Sequence, residues 1–201
     1  VSAVVTAATA ATPPVDGDRP DILLVMIDDL GCHDLGCEGH VRHLTPAIDG
    51  LAAGSTRFVE ASCNGPNCSP SRAALFTGRQ GSRNGVHTVG NAARGKPEDR
   101  TLEPPSNGRF IDDSEITLAE SLPAAGYRTG FVGKWHISED PLDHGFERNV
   151  AGWRAGHPKS YFPPYGNPRL KDGEEGEYLV DRLGSETAAM IRDFESDPQG
   201  R

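Results

Sequence analysis

Residues 21–31 read DILLVMIDDLG. After Pro20 and Asp21 the run is wholly apolar, and it stops abruptly at two aspartates. A short continuous apolar run without polar alternation is the pattern of a strand buried on both faces. Such strands belong to parallel sheets covered by helices. In open α/β sheets the ligand sits beyond the carboxyl ends of strands. Asp28 and Asp29 therefore stand where a site would be.

The pattern extends outward from this strand. Thr45–Ala53, TPAIDGLAA, reads as a helix with Thr45 as cap, Pro46 at the first position, and Ile48, Leu51 and Ala52 on the apolar face. Thr56–Ala61 reads as a short strand. Cys68–Gly78 reads as a helix that starts near a proline and stops at a glycine. Residues 80–113 read as a long surface loop. Thr117–Ala125 reads as a helix with a Thr117/Glu120 capping box, shortened by Pro123 and ended by Gly126. Tyr127–Val132 is a second buried strand, residues 140–176 are mostly loop, and Tyr178–Phe194 is an amphipathic helix. The alternation predicts an α/β fold, a mostly parallel sheet flanked by helices.

Composition narrows the function. The 201 residues suffice for one domain with a real core. A formal net charge of -9 argues against a nucleic-acid partner, so any site for an anion must be locally positive. No apolar run is long enough to span a membrane. Residues 1–20, rich in Ala, Val and Thr, resemble the tail of a secretory signal. They are expected to be a disordered leader, which places the protein in the periplasm or outside the cell. Residues 21–201 are then expected to form one folded domain. The chain stops directly after a helical pattern, so the domain is expected to be incomplete at its C-terminus. The four cysteines, Cys32, Cys37, Cys63 and Cys68, lack the tight spacing of structural zinc sites. A disulfide between two of them is compatible with the spacing.

Three clusters carry chemistry. Adjacent carboxylates at Asp28 and Asp29 repel unless a cation offsets them, and a hard cation with oxygen ligands suits that pair. A polar turn is the simpler reading of the same residues. Calcium takes ~6–8 oxygens, so two carboxylates leave its sphere incomplete, and magnesium also fits. Lys134 and His136, at spacing two on a strand, would project to one side and clamp an anion, with Trp135 facing into packing. A solvated strand end is the alternative. Cys68 stands at a helix N-terminus, where N–H groups and the helix dipole favour an anion, and Arg72 shares its face. A reactive cysteine and a buried structural one both fit there. The aromatic, proline-rich stretch 156–168 suits either a sugar-stacking loop or a packed surface loop.

Together these motifs resemble the type I sulfatases. C-S-P-S-R followed by T-G-R at Cys68–Arg79 matches that family's signature. Asp28-Asp29 after the first strand, T-P-A-I-D-G-L-A at Thr45–Ala52 and G-K-W-H at Gly133–His136 follow the family's order. The resemblance runs from Pro20 to the end of the chain. It implies an alkaline-phosphatase-like fold and hydrolysis of aryl or carbohydrate sulfate esters. It implies that a maturation enzyme reads Ser69–Arg72 and oxidises Cys68 to formylglycine, which hydrates to a geminal diol. Asp28, Asp29 and the residue derived from Cys68 would hold a calcium ion, or magnesium in its place. One diol hydroxyl would attack sulfur and the other would later expel sulfate. Lys134 would offset charge on the sulfuryl oxygens, Arg72 would hold the diol, and His136 would hydrogen-bond diol or sulfate. A phosphate or phosphonate monoester hydrolase of the same superfamily, and a non-catalytic anion- or glycan-binding relative, are the alternatives. The family's further metal ligands and leaving-group acid match nothing after His136. His144 and His157 fit no motif, so those groups are expected beyond Arg201.

Overall fold

The structure, a computed structural model, describes residues 3–6 and 19–197. It divides into two compact units, Val1–Pro66 and Asn67–Arg201.

In the first unit, β1 (Ala3–Thr6) pairs antiparallel with β2 (Leu24–Ile27). The apolar run thus forms a strand, but a shorter one than its seven residues suggested, and with an antiparallel partner. Ile22, Leu23 and Val25 remain 60%, 56% and 47% exposed. The expectation of burial on both faces fails because, among the described residues, β2 has one partner strand, which covers an edge and not the faces. Ala3–Thr6 lies within the stretch read as a leader, and the rest of that stretch up to residue 18 lies outside the described residues. α1 (Pro46–Ala53) forms where the Thr-Pro start placed it. Thr45 does not cap it in the usual way. Its hydroxyl accepts the Gly36 N–H at 2.8 Å and donates to Asp49 Oδ1 at 2.9 Å. Asp49 also accepts the Cys37 N–H at 2.8 Å. The helix start is spent on bracing the short 3-10 turn Gly36–Glu38. Residues 56–61 form no strand, and Phe58 and Val59 are exposed.

The second unit is built on α2 (Cys68–Thr77), α3 (Gly81–Asn84), α4 (Leu118–Ser121), β3 (Gly130–Val132), β4 (Arg148–Val150) and α5 (Leu179–Ser196). β3 and β4 pair in parallel, Phe131 opposite Asn149, so the parallel element of the α/β fold lies here. β4 falls in the region read as loop, where only three residues pair and no alternation marks them. The Thr117/Glu120 capping box is present, Pro123 converts the chain to a 3-10 turn, and Gly126 closes it at φ 82°. The long segment 80–113 holds α3 and a 3-10 turn and is otherwise tied by side chains. Asn107 accepts the N–H groups of His87 and Thr88 and donates to the carbonyls of Thr88 and Gly90.

Two clusters make the core. Ala73, Phe76, Val86, Ile111, Phe131, Trp135 and Ile137 form one, with Phe146 against it. Phe76, Phe131, Trp135 and Phe146 meet with ring centroids 4.9 to 6.1 Å apart, mostly edge to face as the ring quadrupoles prefer. Ala151, Tyr165, Leu170 and Leu179 form the other. α5 packs on β3 where Gly130 leaves room for Met190 and Phe194.

Glycine therefore does opposite things at two positions. A Cβ on Gly130 would stand 2.3 Å from Met190 Sδ, whereas one on Gly184, exposed in α5, meets nothing within 4 Å. Gly130→Ala should destabilise by about 1–3 kcal/mol through overpacking. Gly184→Ala should stabilise by about 0.5–1 kcal/mol through helix propensity. Urea unfolding of the two variants checks both signs.

Candidate active site

Asn67 starts α2 with extended backbone (φ -125°, ψ 164°), and its side chain makes no cap. The Asn67 amide donates instead to Thr88 Oγ1 at 2.9 Å. Pro70 sits in the first turn, where a missing N–H costs nothing. Gly78 closes the helix in the left-handed region at φ 65°. Cys68 is the first helical residue and is half-buried, while Ser69, Pro70, Ser71 and Arg72 behind it are buried. A helix whose first turn is inside the protein needs partners there, and the side chains of this turn find theirs far away in sequence.

Those partners are backbone carbonyls of the Gly-Lys-Trp-His segment. The Arg72 guanidinium donates through NH1 to the Lys134 carbonyl. The Ser69 hydroxyl donates to the His136 carbonyl at 3.4 Å. Between them Trp135 is fully buried and meets the Phe76 ring at 4.9 Å. Its indole N–H donates to Ser138 Oγ at 2.6 Å. Two polar attachments and one apolar one thus join the start of α2 to the chain after β3. Cys68, Arg72, Lys134 and His136 are brought into one neighbourhood.

Lys134 and His136 do not sit on a strand. β3 ends at Val132, Gly133 has φ 101° and His136 has φ 68°. Left-handed backbone breaks the alternation, so the spacing-two argument for a common side does not apply. Trp135 is buried as expected, but by the aromatic cluster and not by the far face of a sheet. The His136 N–H donates to the Trp153 carbonyl at 3.0 Å. No local pattern in the sequence marks Trp153 for this contact.

Asp28 and Asp29 belong to the first unit. They form the turn that follows β2, Asp28 half-buried and Asp29 exposed with φ 58°. Also in that unit, Asp34, His40 and His43 bring ligand-type atoms within 4.8 Å of one another. His40 Nδ1 accepts the N–H groups of Arg42 (3.2 Å) and His43 (2.8 Å). A neutral His40 ring then carries its proton on Nε2, which suits a loop brace and not a metal ligand. The other cysteines lack the setting of Cys68. Cys32, Cys37 and Cys68 are unbridged, and Cys63 Sγ donates to the Gly65 carbonyl at 2.9 Å. Burial pushes the Cys37 thiol up from its ordinary value, and its hydrogen bond to the Asp49 carboxylate adds to this. His144 is 1% exposed with its ring against Trp135, and His157 is exposed. No helix among the described residues is long and apolar enough to cross a membrane.

Comparison with known proteins adds a second line of observation. The sulfatase family model matches residues 20–199. Human N-acetylgalactosamine-6-sulfatase is 40% identical over 148 residues, covering 74% of this chain and 27% of the relative. Bovine arylsulfatase A is 44% identical over 135 residues, covering 64% and 24%. The chain therefore spans about a quarter of the length of these curated relatives. Among solved structures, Ps i-CgsB in complex with k-i-k-neocarrahexaose superposes with a TM-score of 0.64 at 26% identity. That match covers 86% of this chain and 41% of the other.

Arg72 is only 4% exposed. Arg72→Ala leaves the Lys134 carbonyl without that donor and should cost about 1.5–3 kcal/mol, the worth of a hydrogen bond to a charged group. Arg72→Lys should recover little of it, because an ammonium lacks the guanidinium fork. A lowered urea midpoint at unchanged m-value is the expected reading for both.

Proposed function

The chain belongs to the sulfatase family, and on that basis we propose that its protein hydrolyses sulfate esters, aryl or carbohydrate, using a formylglycine made from Cys68. One observation supports this reading above the others. Two side chains that follow Cys68 at the start of α2, Ser69 and Arg72, hold the carbonyls of His136 and Lys134. The names of the relatives, an N-acetylgalactosamine-6-sulfatase among them, and the oligosaccharide held by the structural neighbour support a sulfated glycan as substrate.

The roles follow from charge and position. Hydrated, the formylglycine would supply a nucleophilic hydroxyl for sulfur and a second hydroxyl for the release of sulfate. The Lys134 ammonium and the N–H groups at the start of α2 offset the negative charge of the sulfuryl oxygens. Arg72 fixes the turn that presents residue 68 and adds positive charge beside it. His136 hydrogen-bonds the reacting group and holds or moves a proton there. Asp28 and Asp29 are an all-oxygen pair at a strand end, and that donor chemistry fits calcium, or magnesium in its place. They would hold the ion, which would supply positive charge toward a sulfate oxygen. Maturation requires an enzyme that reads Ser69–Arg72, and the leader-like residues 1–20 support a periplasmic or extracellular location.

Mass spectrometry of the tryptic peptide Phe58–Arg72 from matured native protein decides the first step. The expected mass is that of a carbonyl oxygen in place of SH and one hydrogen at position 68. An intact thiol in a protein that still turns over sulfate esters would refute the reading. Cys68→Ala should lower kcat on an aryl sulfate by at least about 1000-fold. Chelation should abolish turnover and added calcium restore it. Asp28→Asn and Asp29→Asn should raise the calcium concentration needed for half-maximal rate.

A further inference from the structure

The imidazole of His136 lies against a residue that has no side chain. A Cβ built on Gly156 would stand 2.5 Å from His136 Cε1, 2.7 Å from Nε2 and 2.9 Å from Nδ1. All three approaches are closer than real Cβ atoms adopt. The backbone at Gly156 therefore packs directly on the ring.

The segment that makes this contact is held from several directions. Asn149 accepts the Gly152 N–H at 2.9 Å and donates to the Gly152 carbonyl at 2.8 Å and to Asp140 Oδ1 at 3.0 Å. Asp140 is 5% exposed and is paired with Arg169. Ala151 has φ 66°, a left-handed conformation rare for alanine. Its N–H donates to the Arg169 carbonyl at 3.0 Å and its carbonyl accepts from Asn167 Nδ2 at 2.9 Å. From this clamped turn the Trp153 carbonyl takes the His136 N–H. Residues 149–156 thus set the left-handed backbone of His136 at one point and its ring at another.

We propose that Gly156 is a positioning residue for the reaction: its missing side chain lets the 149–156 turn close on the His136 imidazole and hold it in its working orientation. This rests on the role given to His136 above. Gly156 is not among the glycines with positive φ, so the backbone itself does not demand glycine. The ring does. Alanine fits the chain there, and the imidazole, at the end of a rotatable side chain, is what must move.

The test is Gly156→Ala in the matured native protein, with His136→Ala and the double variant beside it. The ring 15N resonances of His136 are assigned by their loss in His136→Ala. In Gly156→Ala they should be displaced, with an unchanged unfolding midpoint. Turnover of an aryl sulfate should fall about 10–100-fold in kcat with KM little changed, as expected for a small misplacement of a reacting group. In the His136→Ala background the same substitution should cost nothing further, since the obstructed ring is gone. Unmoved His136 resonances would overturn the inference. So would a displaced ring with normal kcat when His136→Ala is impaired, or a loss that adds in full to that of His136→Ala. A His136→Ala enzyme with normal turnover would instead defeat the role proposed for His136, while the resonances still decide whether Gly156 sets the ring.

Discussion

A buried guanidinium on a backbone carbonyl ties the start of α2 to the chain that follows β3. Arg72 lies inside the protein one helical turn after Cys68 and donates to the carbonyl of Lys134. Taking an arginine out of water is costly unless its donors are used. The rigid fork of arginine can satisfy fixed acceptors that a lysine would meet only as a point charge. The contact therefore places Lys134 through its main chain. Ser69 makes the same kind of attachment to His136, and Trp135 anchors the segment between them in the aromatic core. Removing any of these three would disturb residue 68 and the cationic segment together.

Among the described residues, both units hold non-glycine residues with left-handed backbone, Asp29 in the first and His136 and Ala151 in the second. Such conformations cost on the order of 1–3 kcal/mol each and persist only where surrounding contacts over-determine them. For Ala151 those contacts are identifiable: Arg169, Asn167 and the Asn149–Asp140 pair close by. For His136 they are Trp153 and the packed Gly156. Strain and support together hold the backbone of His136 in place, as the role proposed for it would require.

Legibility in the sequence followed the range of the interaction. The capping box at Thr117 and Glu120, the 3-10 break at Pro123 and the glycine stops at Gly78 and Gly126 were all readable, because each acts within one turn of chain. α5 was readable from its apolar period to within two residues at its C-terminal end. The strand at 24–27 was readable as a strand, but its partner and exposure were not, since an apolar run reports composition and not what lies beside it. β4 escaped because three residues carry no period. Lys134 and His136 were found by motif, while the geometry assumed for them failed at Gly133 and His136, where the backbone leaves the extended region.

The helices at Pro46–Ala53, Cys68–Thr77 and Leu179–Ser196, the helix start at Cys68 and the membership of Cys68, Arg72, Lys134 and His136 in one family pattern were determined by the sequence alone. Helix caps, proline positions and motif spacings are short-range constraints that one stretch of chain carries by itself. The tertiary structure decided that Arg72 and Ser69 grip carbonyls 62 and 67 residues away, that Trp135 packs on Phe76, and that Gly156 closes on His136. Contacts at such separations depend on how the chain returns on itself in three dimensions, and no periodicity along it records that return.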